Sequence, residues 1–171
     1  GSDILIKIRE GKLAGCDLIS IYSLDELRGI CIEEDGSILI RPLSSFTDIV
    51  MNPIIKEHVP VLGEAVEQIG GPQIRNIGTI GGNIANGVTS ADSASTLKAY
   101  DVVLELSSLQ GTRVLPYAEF NIKPGKVDLR PGEILTGIRI PKESYENTFG
   151  HYIKYAMRKA MDISTLNCSV N

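Results

Sequence analysis

Apolar and polar positions alternate along much of this chain, and the period of that alternation changes from segment to segment. Period two appears at Ile4 to Ile8, around Lys7, and again at Leu18 to Tyr22, which predicts two strands. From Ile30 to Arg41 apolar residues alternate on both sides of Asp35-Gly36, a pair suited to a tight turn, so a hairpin is expected there. A second hairpin is predicted from Val102 to Leu106 and Thr112 to Leu115. Single strands follow at Glu133 to Pro141 and His151 to Met157, and the chain stops inside a further β run at Cys168 to Asn171.

Helical signals lie between these runs. Ser23-Leu24-Asp25-Glu26 has the capping-box form and predicts a short helical turn ending at Gly29. Ser45 is placed to cap a helix through Phe46, Ile49 and Val50 that breaks near Asn52-Pro53. Leu62, Ala65, Val66 and Ile69 share one face of a helix over 61–69, closed by Gly70-Gly71-Pro72. Asp92 to Ala99 reads as another helix, with Ser90 or Asp92 at its N-cap. The strands pair as hairpins and show no βαβ regularity. The expected fold is therefore α+β, a mostly antiparallel sheet flanked by helices.

Composition narrows the function classes. A net charge of −4 argues against nucleic acid as a general partner and against an anionic membrane surface. No apolar run approaches the ~20 residues of a membrane-spanning helix. The three cysteines, Cys16, Cys31 and Cys168, are scattered and form no C-x-x-C pair, so they read as reduced cytoplasmic thiols. With only His58 and His151 as histidines, no metal site is expected. Opening directly into a predicted strand and stopping inside another, the chain is expected to be a piece of something larger.

Candidate chemistry concentrates between Ile74 and Asp92. Gly81-Gly82 sits among Thr79, Asn83, Asn86, Thr89 and Ser90, with one carboxylate at Asp92. Glycines let a ligand approach the backbone, and successive N–H groups in such a turn form an anion-binding nest. The composition suits a pyrophosphate carrying a sugar or polyol. A plain glycine turn is the competing reading.

The run Gly71-Pro-Gln-Ile-Arg-Asn-Ile-Gly-Thr-Ile-Gly-Gly-Asn-Ile84 closely resembles the second flavin loop of molybdenum hydroxylase FAD-binding subunits, which have the vanillyl-alcohol-oxidase/PCMH-type fold. The likeness extends over the chain, through Pro124-Gly125-Lys126, Gly132 to Leu135 and Lys154 to Ser164. It is nearest to the separate FAD subunits of bacterial xanthine dehydrogenases, notably at Thr89 to Ser93 and Ala160 to Ser164. One departure is that the family's first flavin loop reads A-G-G-[ST]-D, whereas this chain begins at the second glycine.

The resemblance implies FAD as cofactor, with Gly1, Ser2 and Asp3 on one side of the pyrophosphate and Thr79, Ile80, Gly81, Gly82 and Asn83 on the other. Ser90 and Asp92 would meet ribityl or ribose hydroxyls. Ile134 and Leu135 would lie along the flavin and adenine regions with backbone contacts, and Lys154 would reach the pyrimidine edge of the isoalloxazine. Tyr155 to Asp162 would border the face where NAD docks. It also implies a remnant of a first FAD-binding subdomain at 1–22, a second subdomain at 23–150 and the start of a C-terminal domain at 151–171. Partners would be a molybdenum-binding large subunit and an iron–sulfur small subunit carrying those cofactors, with NAD accepting the electrons. No catalytic residue is expected on this chain.

Blander readings stand beside these. Without the resemblance, Lys154 reads first as a solvated strand lysine and Asp92 as an N-cap before a ligand contact, and Arg158 with Asp162 fits a local ion pair. Arg75 fits either a phosphate contact or a surface salt bridge. The medium subunit of a carbon monoxide, nicotinate or other aromatic hydroxylase is the same-fold alternative. A scaffold piece that binds no FAD is the alternative of a different class.

Overall fold

A computed structural model describes residues 1–171. The chain begins with helix α1 (Ser2–Arg9), not with the expected strand. A lone strand there would leave its backbone groups without a partner, whereas a helix satisfies them internally. Asp3 in the first turn and Lys7 and Arg9 in the last complement the helix dipole. The second expected strand, Leu18 to Tyr22, is irregular and pairs with nothing. The Ser23–Gly29 signal produces only a single 3-10 turn (Asp25–Leu27), with no side-chain cap.

Strands β1 (Ile30–Ile32) and β2 (Ile38–Ile40) form the expected hairpin, with Gly36 at φ +84 in its turn. Three short helices follow: α2 (Phe46–Met51), α3 (Pro53–His58) and α4 (Pro60–Glu67). The first is closed by a full capping box. The Ser45 hydroxyl accepts from Asp48 N at 3.0 Å, and the Asp48 carboxylate accepts from Ser45 N at 2.9 Å. Proline stands at the first turn of both α3 and α4, where its missing N–H costs nothing. On α4 the buried residues are Val61, Leu62, Ala65 and Val66, nearly the face that the sequence periodicity marks.

Helices α5 (Pro72–Ile77), α6 (Ile80–Asn86) and α7 (Asp92–Ala99) lead into the hairpin of β3 (Val103–Ser108) and β4 (Gly111–Pro116). The expected loop at 120–132 holds the end of a one-turn helix, α8 (Tyr117–Phe120), and a small ribbon of β5 (Asn121–Lys123) and β6 (Lys126–Val127). Strand β7 (Ile134–Ile140) then runs through the middle of the molecule. The last elements are β8 (His151–Tyr155) and β9 (Leu166–Val170), a separate two-stranded sheet packed on α4 and α7.

The main sheet is five-stranded and antiparallel, in the order β1-β2-β7-β3-β4. One face carries Ile38, Ile40, Leu104, Leu106, Ile138 and Ile140, all fully buried against the helices. A register shift between Glu105 and Leu106 pairs Leu106 with Leu135 and skips Thr136. That irregularity turns both Leu135 and Ile138 into the core, which strict alternation would forbid. The other face carries an ion-pair cluster beside the buried Leu39: Arg139 donates to Glu33 at 2.6 Å and to Glu105 at 2.7 Å. Burying each large aliphatic on the inner face stabilises by roughly 1.5–3 kcal/mol, which is why this face, not the polar one, fixes the register.

Candidate functional site

The glycine pair lies within α6 rather than in an open turn between strands. Thr79 is the N-cap, its hydroxyl accepting from Gly82 N at 3.2 Å, and Gly87 ends the helix in the left-handed region at φ +64. Two glycines disfavour a helix, and contact geometry explains why one of them is present. A Cβ on Gly81 would lie 2.4 Å from Pro42 Cβ and 2.7 Å from the Pro42 carbonyl oxygen, which accepts Gly81 N–H at 2.9 Å. Gly81 therefore serves the fold. A Cβ on Gly82 would meet only Thr79 Oγ1, at 3.0 Å, with open space elsewhere.

The N–H groups around the pair are mostly engaged. Ile80 donates to Ser44 O at 3.1 Å, Gly81 to Pro42 O, and Asn83 to Thr79 O at 3.0 Å. This corrects the expectation of a nest of free N–H groups. What faces outward is the bare Gly82 surface and its weakly capped N–H.

No hydrogen bond joins the Gly1–Asp3 segment to residues 79–83. The Asp3 carboxylate accepts from the Asn86 amide, and Lys7 Nζ donates to Asn86 Oδ1 at 3.1 Å, so α1 is tied to the far end of α6. Six residues of helical rise, about 9 Å, separate that end from Ile80. Ser90 is half-buried in the turn before α7. Ile134 is exposed at the start of β7, on which α6 packs, while Leu135 belongs to the core and offers no side chain to a ligand.

Asn83 carries the site onward. Its Oδ1 accepts from Ser93 Oγ at 2.6 Å, tying α6 to the start of α7, and the residue before Ser93 is Asp92. Asp92 is not the N-cap, a position held by Ala91 without a side-chain bond. Its carboxylate turns inward. Oδ1 accepts from the Tyr152 hydroxyl at 2.7 Å and Oδ2 from Lys154 Nζ at 2.9 Å. Lys154 also donates to Gln68 O at 3.0 Å. The side chains of Lys154 and Asp92 are only 7% and 8% exposed, so Lys154 is not a solvated strand lysine. Burial, and then the hydrogen bond to the Asp92 carboxylate, push the Tyr152 phenol well above its ordinary value.

Lys154 lines a cleft of about 580 Å3 between the Gly70–Arg75 turn and segment 154–162. Arg75 Nη1 donates to Ile69 O and Gly70 O, both at 3.1 Å, bracing that turn instead of forming the surface salt bridge considered from sequence. Opposite it, the Asp162 carboxylate accepts from Arg158 N at 2.8 Å and from Arg158 Nη2 at 3.3 Å. These bonds, the backbone one foremost, hold the Asp162 carboxyl below its ordinary value. Sequence reasoning passed over Tyr152 and Gln68. For Tyr152 a signal exists, since residues two apart on a strand share a face and Lys154 was already a candidate. No group of three or more His, Cys, Asp or Glu side chains gathers where it would hold a metal. No helix is long and apolar enough to cross a membrane.

Residues 1–143 match the family described as the FAD binding domain in molybdopterin dehydrogenase. The chain belongs to that family. Over all of its 171 residues this FAD-binding domain is 44% identical to a putative xanthine dehydrogenase FAD-binding subunit of Escherichia coli (strain K12), covering 59% of that protein. It is 36% identical over 169 residues to the nicotinate dehydrogenase FAD-subunit of Eubacterium barkeri, 97% of this chain and 56% of that one. Among solved structures, a carbon monoxide dehydrogenase from Hydrogenophaga pseudoflava superposes with a TM-score of 0.91 at 30% identity, covering 99% of this chain and 58% of its counterpart. The chain thus spans less than two thirds of the length of these relatives. The α+β fold with antiparallel sheets and flanking helices is that of the PCMH-type flavoprotein domains.

Proposed function

We propose that this chain holds FAD within the electron-transfer subunit of a xanthine dehydrogenase-like molybdenum hydroxylase. The observation that carries the reading is the 44% identity along the whole chain to a xanthine dehydrogenase FAD-binding subunit. In this reading an iron–sulfur small subunit delivers electrons taken from a purine at a molybdenum-binding large subunit, NAD receives them, and the assembly is cytoplasmic. Segment 1–22 completes a first FAD-binding subdomain, 23–150 forms the second, and 151–171 begins a C-terminal domain.

The residues present fit the cofactor. Gly82 leaves one side of α6 without a Cβ, so a pyrophosphate can approach the backbone and take over the Gly82 N–H from Thr79 Oγ1. Thr79 supplies a hydroxyl and Asn83 an amide from the same turn of α6, and Ser90 adds a hydroxyl from the turn before α7. Lys154 has three N–H donors and uses two on protein, which leaves one for an oxygen of the isoalloxazine. Bound FAD supplies two-electron chemistry and hydride transfer to a nicotinamide. The chain binds it, orients it and presents a buried cation to its edge.

The likeness to a carbon monoxide dehydrogenase structure supports a second reading, a medium subunit serving another hydroxylase with another electron acceptor. Anaerobic reduction of the assembled enzyme with xanthine, followed by NAD or a quinone, separates the two. Flavin reoxidation by NAD is expected. Failure of xanthine to bleach the flavin, or reoxidation by quinone alone, would refute the xanthine dehydrogenase-like assignment. A full-length protein purified without flavin absorbance would refute FAD binding itself.

A further inference from the structure

We infer that the cavity beside the start of α4 is a second binding site, for a neutral planar ring that carries a carbonyl oxygen and a ring N–H. It lies apart from the cleft that Lys154 lines and shares no residue with it. About 410 Å3 of space, within the range of small-ligand sites, opens between the ends of α3 and α7, the start of α4 and residues 142–150. Nothing in this site depends on FAD.

Tyr100 points to the ligand. It directly follows α7, is only 1% exposed and lines the cavity, yet its hydroxyl makes no hydrogen bond to an acceptor of the protein. The buried Tyr145 and Tyr152 each spend theirs on the protein, on Gly36 O at 2.5 Å and on Asp92 Oδ1 at 2.7 Å. Burial pushes the Tyr100 phenol up to about 12, the Val61 N–H limiting the rise and the Glu64 carboxylate adding to it. With that N–H turned to the oxygen as a donor, what the hydroxyl lacks is an acceptor for its own proton. An unpaired buried hydroxyl costs free energy, and phenylalanine would fill the same space without that cost. A carbonyl oxygen in the cavity supplies the acceptor.

The rest of the lining selects charge and shape. Glu57 and Glu146 leave acceptor sites for a ring N–H, and these carboxylates, with Glu64 near the phenol, disfavour an anion. Lys142 is already paired with Glu146 at 3.2 Å. Flat apolar surface comes from Pro60, Tyr145 and the 96%-exposed Phe149. The Tyr145 ring stands 5.6 Å from that of His58, tilted by 56°, and its bond to Gly36 O fixes it there. Aromatic walls of this kind suit a flat ring. A heteroaromatic lactam, with its adjacent C=O and N–H, has each of these features.

The test titrates the full-length protein with uracil, a small neutral lactam, by ligand-detected NMR. Saturable binding is expected, weakened about five- to tenfold in Tyr100→Phe through the loss of one neutral hydrogen bond. The same variant should melt at or above the parent temperature, because its hydroxyl has no acceptor to lose. Dimethyluracil keeps the carbonyls and lacks the N–H groups, so it should bind more weakly than uracil and still lose affinity in Tyr100→Phe. Benzoate, planar but anionic, should not compete. No saturable uracil binding, or an affinity unchanged in Tyr100→Phe, would overturn the site. Benzoate binding as well as uracil, or dimethyluracil binding equally, would overturn the neutral lactam as its ligand. A Tyr100→Phe variant melting several degrees lower would reveal a protein partner for the hydroxyl and remove the ground for the inference.

Discussion

Gly81 and Gly82 are neighbours in one helix, yet alanine at each should have opposite consequences. At Gly81 the new Cβ would stand 2.4 Å from Pro42 Cβ, 2.7 Å from Pro42 O and 2.9 Å from Pro42 Cα. Two of these are backbone atoms, so relief requires moving the chain after β2 away from α6. Overpacking costs about 1–3 kcal/mol where side chains can yield, and a backbone obstruction belongs at or above the upper end. For a chain of this size ~1 kcal/mol shifts the melting temperature by about 2–4 °C, so with ~1 kcal/mol of helix propensity returned Gly81→Ala should melt at least roughly 4–8 °C lower. At Gly82 the only neighbour is Thr79 Oγ1 at 3.0 Å. Alanine gains about 0.8–1 kcal/mol of helix propensity there and forfeits at most ~1 kcal/mol of the Thr79 cap. Gly82→Ala should therefore melt within about 4 °C of the parent. FAD titration reverses the order of harm: Gly82→Val fills the open side and should abolish flavin retention while the protein stays folded. Melting curves by circular dichroism and flavin fluorescence decide both halves. Equal loss of stability at the two positions, or normal flavin content in Gly82→Val, would refute the division of labour between them.

Two further outcomes follow from the ion pairs. Arg113 donates to Glu133 at 2.7 Å and holds its carboxyl at about 2. That stability is complete above the unfolded value of ~4.3 and is lost as pH falls towards 2, so Glu133→Gln should flatten the acid limb of the stability profile in denaturant melts between pH 5 and 2. Lys154→Met leaves Asp92 buried without its cation, a change that typically costs about 3–5 kcal/mol. Denaturant melts at neutral pH should show that loss, and a stability within ~1 kcal/mol of the parent would contradict it.

What could be read from the sequence was local. The β1–β2 hairpin follows from its alternation and turn pair, the start of α2 from Ser45, and the face of α4 from spacing. Two kinds of feature escaped. Ser2 to Arg9 alternates well enough to pass for a strand, because isoleucines suit either state. Only the absence of a pairing strand and the end charges decide for α1. At α6, the Thr79 cap and the closing Gly87 are legible helix signals, but the internal glycines masked them. The reason for Gly81 is Pro42, a contact no local pattern reports. Asp92 illustrates the other limit. Its partners Tyr152 and Lys154 lie sixty or more residues away, and only the docking of the β8–β9 hairpin on α7 makes the three into one cluster.

That hairpin is a sheet of its own, joined to the rest by packing and not by continuous strand pairing. Its two strands are connected by residues 156–165, which contain no regular element and form one wall of the cleft. The register His151↔Val170 through Tyr155↔Leu166 sets where Lys154 stands, independently of how long that connection is. The design is modular: insertions, deletions or wholesale exchange between the strands would reshape what approaches the cleft from outside. The lysine at its wall would stay where it is. In such an architecture the outer wall of the cleft can diverge in length and chemistry while the buried lysine and its partners keep their places.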